Sequence, residues 1–303
     1  MIVPCYNLLA IIGATASGKT RLGVELAQFL SGEIISADSR QVYRGLDIGT
    51  GKDLHEYGSV PYHLVDIVDP QTEFSVFDFQ GHCHQSIRSI TERGNLPCLV
   101  GGSGLYLESV LLGYQMARVP ENPTLRLELE LLDDHSLQQR LESLKPRLHN
   151  STDLTTRARM IRAIEIATSG SLIPIPLNLQ TKVLGIQWPR TILRQRIQDR
   201  LQYRLKNGLI EEGQRLLGQG MTHDRMESMG LEYRWVSRYL REEITIQTLQ
   251  TELGRAIAQF AKRQETWFRR MERRGITITW LEGGDTLTEQ AREACAQVEW
   301  LVR

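Results

Sequence analysis

Gly13-Ala14-Thr15-Ala16-Ser17-Gly18-Lys19-Thr20 fits the pattern G-x-x-x-x-G-K-[ST] at every specified position. It follows the apolar run Leu8-Leu9-Ala10-Ile11-Ile12 and opens a helix-like stretch, so the strand and helix that the motif needs are in place on both sides. Glycines let the backbone wrap a phosphate chain with its N–H groups, and the helix N-terminus behind it adds a positive dipole. Lys19 supplies a point charge and the Thr20 hydroxyl a ligand for Mg²⁺. All eight residues are therefore candidate binding residues for a di- or triphosphate.

Outward from this loop, the first third of the chain alternates strand and helix. Strands are expected over 8–12, 33–36, 63–68 and 97–100, and helices after Thr20 and over 75–93. Such alternation predicts an α/β fold, a P-loop NTPase-like, doubly wound parallel sheet with its ligands at the carboxyl ends of the strands. From Pro120 to about Gly170 the pattern turns helical, with Leu125, Leu129 and Leu132 and then Ala158, Ile161, Ile164 and Ala167 at helical spacing. A Pro-rich linker follows at 171–176, and 181–188 reads as a strand returning to the sheet. We therefore expect a catalytic core of 1–115 and 180–303 and a helical insertion of 116–179. Residues 191–274 read as mostly helical, 276–281 as a last strand and 286–302 as a closing helix.

The chain has 303 residues, 41% hydrophobic and 24% charged, which excludes disorder and leaves room for one large or two modest domains. No apolar stretch is long enough to cross a membrane, and the N-terminal MIVPCYNLLAIIG lacks a basic flank, so a cytoplasmic protein with no membrane contact is expected. Cys5, Cys83, Cys98 and Cys295 lie far apart, which argues for reduced thiols rather than disulfides or zinc. Zero net charge hides an asymmetry: residues 1–112 hold 7 Lys/Arg against 12 Asp/Glu, and the remainder 29 against 24. The positive excess outside the loop segment points to a polyanionic partner.

Asp38 ends an apolar strand beside the phosphate loop, where a carboxylate serves as general base or metal partner; an ordinary turn Asp is the alternative. Asp47, Asp53, Asp66 and Asp69 read as turn or salt-bridge residues. Gly101-Gly102-Ser103-Gly104 is a second Gly-rich turn, able to line a substrate or simply to pack tightly. His82-Cys83-His84 cannot converge on a metal from one helix. Trp188, Trp235, Trp280 and Trp300 read as core or cap residues. Residues 255–274 carry 7 basic and 2 acidic side chains, with Arg255, Lys262, Arg269 and Arg273 on one helical face and Ile257, Phe260, Trp267, Phe268 and Met271 opposite. Arg190, Arg194, Arg196, Arg200 and Arg204 add a second basic helix, part of which could reach a pyrophosphate.

Several segments together resemble the tRNA dimethylallyltransferases (tRNA isopentenyltransferases). They are GATASGKT at 13, ISADSRQVYRGLDIGTGK at 35, PYHLVDIVDP at 61, FSVFDF at 74, GGSGLY at 101, RARMIRAIE at 157 and AKRQETWFRR at 261, and they span most of the chain. The resemblance implies transfer of a dimethylallyl group from dimethylallyl diphosphate to the exocyclic N6 amine of adenosine 37, 3′ of the anticodon, giving N6-dimethylallyladenosine and diphosphate. It implies that Gly13, Ala14, Thr15, Ala16, Ser17, Gly18, Lys19 and Thr20 hold pyrophosphate rather than ATP, with Mg²⁺ at Thr20. Lys19, Arg200 and Asp38 would be the catalytic residues, Asp38 as the base and Arg200, with Arg196, neutralising the leaving group. The tRNA anticodon stem-loop would meet Asp38, Ser39, Arg40, Gln41, Ser103, Arg126, Ala158, Arg159, Met160, Ile161, Arg162, Lys262, Arg263 and Arg269, on a monomeric enzyme. Ala14 stands where the family usually has Pro, Ser103 where it has Thr, and Ile257-Ala258 where it has Thr-Arg. The motif Met229-Gly230-Leu231-Glu232-Tyr233-Arg234 departs from its usual I-G-Y-[KR]. Three alternatives share parts of this pattern: a transferase acting on free adenine nucleotides, a small-molecule kinase, and a non-catalytic RNA-binding module.

Overall fold

The structure, a computed structural model, describes residues 5–116, 119–144, 154, 156–169 and 177–300. The chain forms two compact units, Met1–Gly113 with Leu177–Arg303, and Tyr114–Pro176. The larger unit begins with β1 (Cys5–Tyr6), β2 (Leu8–Gly13), α1 (Lys19–Phe29), β3 (Gly32–Ala37), β4 (Tyr62–His63), α2 (Val76–Glu92), β5 (Leu96–Gly101) and α3 (Gly104–Leu111). It resumes with β6 (Thr181–Gln187), and the order β4-β3-β5-β2-β6-β7 makes a six-stranded sheet whose last strand is β7 (Ile278–Glu282). Every pairing in it is parallel.

Both faces of this sheet are covered, which is why its strands read as unbroken apolar runs. Leu8, Ala10 and Ile12 pack with Phe79, Cys83 and Ile87 of α2 and Leu107 of α3 on one side. Leu9 and Ile11 pack with Leu22 and Leu26 of α1 on the other, joined by Ala291 and Cys295 of α12 (Leu287–Ala296). Complete burial of each such side chain contributes roughly 1.5–3 kcal/mol before entropy is counted. α2 begins with a capping box in which Ser75 and Asp78 exchange hydrogen bonds, fixing its start where the apolar period predicts it.

Between β6 and β7 run α7 (Arg190–Lys206), α8 (Leu209–Gly218), α9 (His223–Ser228), α10 (Leu231–Leu240) and the 28-residue α11 (Ile246–Arg273). They enclose a second core of Leu193, Ile197, Leu201, Tyr233, Leu253 and Ile257 that also takes in Ala14 and Ala16 of the phosphate loop.

Two expectations fail locally. The strand expected over 63–68 stops at His63, because Leu64 (φ 62°) and Asp66 (φ 57°) turn the backbone into the left-handed region; only Val68 returns, to bridge Tyr43. The closing helix ends at Ala296, and Glu299–Trp300 instead forms β8, a parallel partner of β1. The end of the span expected to be helical, 301–302, lies outside the described residues.

The smaller unit contains α4 (Pro123–Glu130), α5 (Asp134–Leu144) and α6 (Arg157–Thr168) around Leu129, Leu137, Leu141, Met160, Ile161 and Ile164. Asn122 caps α4, with Pro123 at its first turn. The Glu165 carboxylate is buried, yet Arg126, the Asn122 amide and Arg162 outweigh that burial and hold its pKa down to about 2.

A similar network ties β3 to the end of α2. The buried Glu33 accepts from Arg93 (2.7 and 2.9 Å), Asn95 (2.7 Å) and His63 (2.7 Å), which hold its pKa at about 2, Arg93 contributing most. Because this folded-state pKa is below the ordinary value of 4.5, the stabilisation is complete above pH 4.5 and is lost as pH falls towards 2. Glu33→Gln is expected to cost about 2–3 kcal/mol at pH 7. Urea midpoints of the two proteins should converge between pH 4.5 and 2; a gap independent of pH would refute the assignment.

Candidate active site

The phosphate loop joins β2 to α1 at the carboxyl edge of the sheet, as its chemistry requires. Gly18 (φ 91°) caps α1 in a conformation that disfavours a side chain, and Ala16 (φ 63°) adopts the left-handed region too. Of three arginines spaced four apart on α7, Arg196 and Arg200 reach this loop and Arg204 reaches the turn at Gly49. The Arg196 Nε donates to the Ala16 carbonyl (2.8 Å) and its guanidinium stacks 4.4 Å from the Trp188 ring centre, whose Nε1 donates to the Ser17 carbonyl (2.9 Å). Arg200 donates to the Thr15 hydroxyl, and Arg204 to the Gly49 carbonyl at 3.3 Å. Trp188, expected in a core or cap role, is thus a platform that aims Arg196.

Thr15, Ala16, Arg196 and Arg200 line a cavity of about 330 Å³ with Lys19, Thr20, Asp38, Thr50, Gly51, Asp53, Phe260 and Gln264. Its lining sets Lys19, Arg196 and Arg200 among the carboxylates of Asp38, Asp53, Glu56 and Asp199. Burial, then Arg200 and Arg204, lower the Lys19 pKa to about 8 although Asp38 opposes them; burial and Arg204 lower that of Arg200 to about 10. An anion entering the cavity would reverse both penalties.

A second cavity, of about 350 Å³, shares Thr15, Asp38, Thr50, Arg200 and Phe260 with the first. Its other walls include Ser39, Arg40, Ser103, Tyr233, Arg234 and Arg263. Asp38 therefore lines both the cavity of the phosphate loop and one that holds Arg40, Arg200, Arg204, Arg234 and Arg263. Its Oδ1 accepts the amides of Arg40 (2.8 Å) and Gln41 (3.4 Å), so the turn role and a position facing both cavities are realised together. Ser103 accepts the Ser39 amide (3.0 Å), stitching the turn after β5 to the turn after β3.

The wall carrying Thr50 and Gly51 is held from behind. The buried Glu212 accepts the amides of Asp47 (2.9 Å), Ile48 (2.8 Å) and Gly49 (3.0 Å) and the Tyr233 hydroxyl (2.6 Å). Gln41 donates to the Gly51 carbonyl (3.0 Å), and the buried Lys52 binds Asp47 (2.6 Å) and Asp66. Asp47 and Asp66 thus have the salt-bridge role expected of them, and Asp69 the turn role, accepting the Gln71 amide at 2.8 Å. Gln41, a candidate RNA contact, is buried as a strut of this wall.

The other candidate residues are dispersed. Of the α11 cations, Arg263 lines the cavity beside Asp38, Lys262 a groove with Arg190 and Arg194, and Arg269 a small hollow with Trp188 and Trp280. Phe260, assigned from its periodicity to the packing face, is 37% exposed and lines both cavities; helix phase alone misplaced it. Of the 158–162 segment in the smaller unit, Met160 and Ile161 are buried in the core, Ala158 and Arg159 are exposed and Arg162 is half-buried. Arg126 pairs with Glu121 (2.9 Å) and Glu165 (3.0 Å). Sequence reasoning missed Glu212, Tyr233, Thr50 and Gln264; the last three sit in quoted motifs, and Glu212 lies outside all of them.

Among the described residues no three His, Cys, Asp or Glu side chains converge on a metal position. The Thr20 hydroxyl lies next to the loop with Asp38 in the same cavity, a sparse set of oxygens that suits Mg²⁺ held chiefly by diphosphate oxygens and water rather than by a protein cage. No helix among the described residues is long and apolar enough to cross a membrane.

The chain matches the IPP transferase family over residues 41–271 and the Isopentenyl transferase family over residues 6–57. It is 56% identical over 286 residues to tRNA dimethylallyltransferase 1 of Geotalea uraniireducens, covering 93% of this chain and 95% of that one. Identity to tRNA dimethylallyltransferase 2 of Syntrophotalea carbinolica is also 56%, covering 93% and 96%. Among solved structures, the tRNA isopentenylpyrophosphate transferase of Bacillus halodurans superposes with a TM-score of 0.72 at 34% identity, covering 96% of each chain. A eukaryotic dimethylallyltransferase captured acting on tRNA gives a TM-score of 0.78 at 25% identity, over 94% of this chain and 77% of that one.

Proposed function

The chain belongs to the tRNA dimethylallyltransferase (IPP transferase) family, and on that premise we propose that it transfers the dimethylallyl group of dimethylallyl diphosphate to the N6 amine of the adenosine 3′ of the tRNA anticodon. The observation that carries this reading is Asp38, shared by the cavity of the phosphate loop, Lys19 and Arg200 and by a second, arginine-lined cavity. The diphosphate lies against the loop amides, Lys19, Arg196 and Arg200. As the allylic C1–O bond breaks, its electron pair leaves with the diphosphate, and these fixed cations stabilise the growing charge without reorganising. The N6 lone pair forms the new bond to C1, and Asp38 takes the N6 proton. Thr20 would hold Mg²⁺ together with the diphosphate, and the ion would supply neutralisation of part of the leaving-group charge. The adenine enters the second cavity unstacked from its loop, between Phe260 and the turn of Ser39 and Ser103. A monomer is proposed as the working unit.

Nucleoside mass spectrometry of tRNA incubated with the protein and dimethylallyl diphosphate tests this reading. One dimethylallyl group on the adenosine beside the anticodon is expected; product on free adenine nucleotides alone, or none, would reject it.

RNA phosphates are proposed to meet Arg234 and Arg263 at the cavity rim and Lys262 and Arg269 on the other face of α11, with Arg159 and Arg162 of α6. Replacing either of the first two pairs by Ala should lower the salt slope of tRNA binding by about one to two units, since each lost phosphate contact removes close to one. Filter-binding titrations read this directly. A pair whose loss leaves slope and affinity unchanged is no part of the docking surface.

A further inference from the structure

Two amides of the phosphate loop are already engaged inside the protein. The Thr15 N–H donates to Gln264 Oε1 at 2.8 Å, and the Ser17 N–H to the Ala14 carbonyl at 3.2 Å. Among the described residues the Ala16 and Gly18 amides have no protein acceptor. Those of Lys19 and Thr20 open α1, where helix geometry supplies none. Of these six amides, the four free for an anion gather towards the helix end of the loop, and that of Thr15 is withdrawn.

Gln264 is fixed in this task. It is 7% exposed, and its Nε2 donates to the Gly102 carbonyl at 2.9 Å. A Cβ at Gly102 would lie 2.4 Å from that nitrogen, so the glycine is what lets the carboxamide in. Arg200 holds the hydroxyl of the same Thr15. Thr15 also marks the junction of the two cavities, with Asp38 and Phe260.

We propose that Gln264 is a specificity-determining residue that limits the loop to two phosphates. With the phosphates over Gly18 to Thr20, the organic end of the donor must pass Thr15 to reach the acceptor cavity. A third phosphate in that space would find the Thr15 amide occupied and the Asp38 carboxylate beside it. The same loop pattern that elsewhere holds a nucleoside triphosphate is here set for a diphosphate ester. This rests on the reading of the donor as an allylic diphosphate.

The test uses inorganic diphosphate and inorganic triphosphate, each with Mg²⁺, competing against dimethylallyl diphosphate. The wild-type protein should bind diphosphate at least about tenfold more tightly than triphosphate, and Gln264→Ala should narrow that ratio by about tenfold by releasing the Thr15 amide. A wild-type protein without the preference, or a folded variant with the ratio unchanged, overturns the proposal. Amide exchange in the wild-type protein gives a second answer that needs no variant. Diphosphate should slow exchange at Ala16, Gly18, Lys19 and Thr20 and leave Thr15, slow from the start, unaltered. A Thr15 amide that gains protection with the others overturns it equally. Inorganic anions report the phosphate count whether or not tRNA is modified, so failure here and failure of the transferase reading are distinguishable.

Discussion

Asp38→Asn is expected to lower turnover by roughly 10²- to 10⁴-fold, the range for loss of a general base, while tRNA affinity stays near the wild-type value. The substitution is clean because of what each carboxylate oxygen does. Asn keeps an Oδ1 to accept the amides of Arg40 and Gln41, so the turn after β3 and its link to Ser103 persist. What is lost is the charge that faces both cavities. Single-turnover measurements with saturating substrates isolate the chemical step from binding. Turnover within a few-fold of wild type would move the base to another group.

Lys19→Ala should reduce kcat/KM for dimethylallyl diphosphate by roughly 10²- to 10³-fold, comparable to removing one preorganised stabiliser of a developing anion. The fold should survive, because the ammonium is held under burial beside Arg200 and Arg204 and its removal relieves that strain. A pH signature separates this from a general loss of shape. With a pKa lowered to about 8, Lys19 is cationic below that pH and neutral above it. In the wild-type enzyme, kcat/KM should therefore decline as pH rises past about 8, and in Lys19→Ala this limb should vanish. EDTA should suppress turnover in both, and full activity in EDTA would remove Mg²⁺ from the account. A profile that bends in the same place without Lys19 would assign the limb to another group.

Much of this was legible in the chain itself. The loop pattern, the apolar runs before it and after Ser31, and the spacing of helices were local, so strand, helix and loop types followed from short windows. Asp38 was legible for the same reason: a strand end beside a phosphate loop is a position that the α/β topology always brings to the ligand edge. The failures were of another kind. Leu64 and Asp66 leave the strand through backbone angles that hydrophobic pattern does not encode. The motif RARMIRAIE does not show by itself that Met160 and Ile161 turn into the core of the smaller unit.

The sequence by itself determined the parallel α/β architecture, the anion-binding loop and the family, because each depends on residues close together in the chain or on motifs kept in order along it. Only the tertiary structure decided that Gln264 reaches back 249 residues to the Thr15 amide, and that Glu212, more than 160 residues from the 47–49 amides, holds the wall of the site. Only it divided the cations of α11, sending Arg263 to the acceptor cavity and Lys262 and Arg269 elsewhere. The reason is physical. A buried carboxamide or carboxylate goes where unpaired N–H groups must be satisfied, and which groups those are depends on how the helices pack on the sheet edge, a long-range outcome that no local window contains.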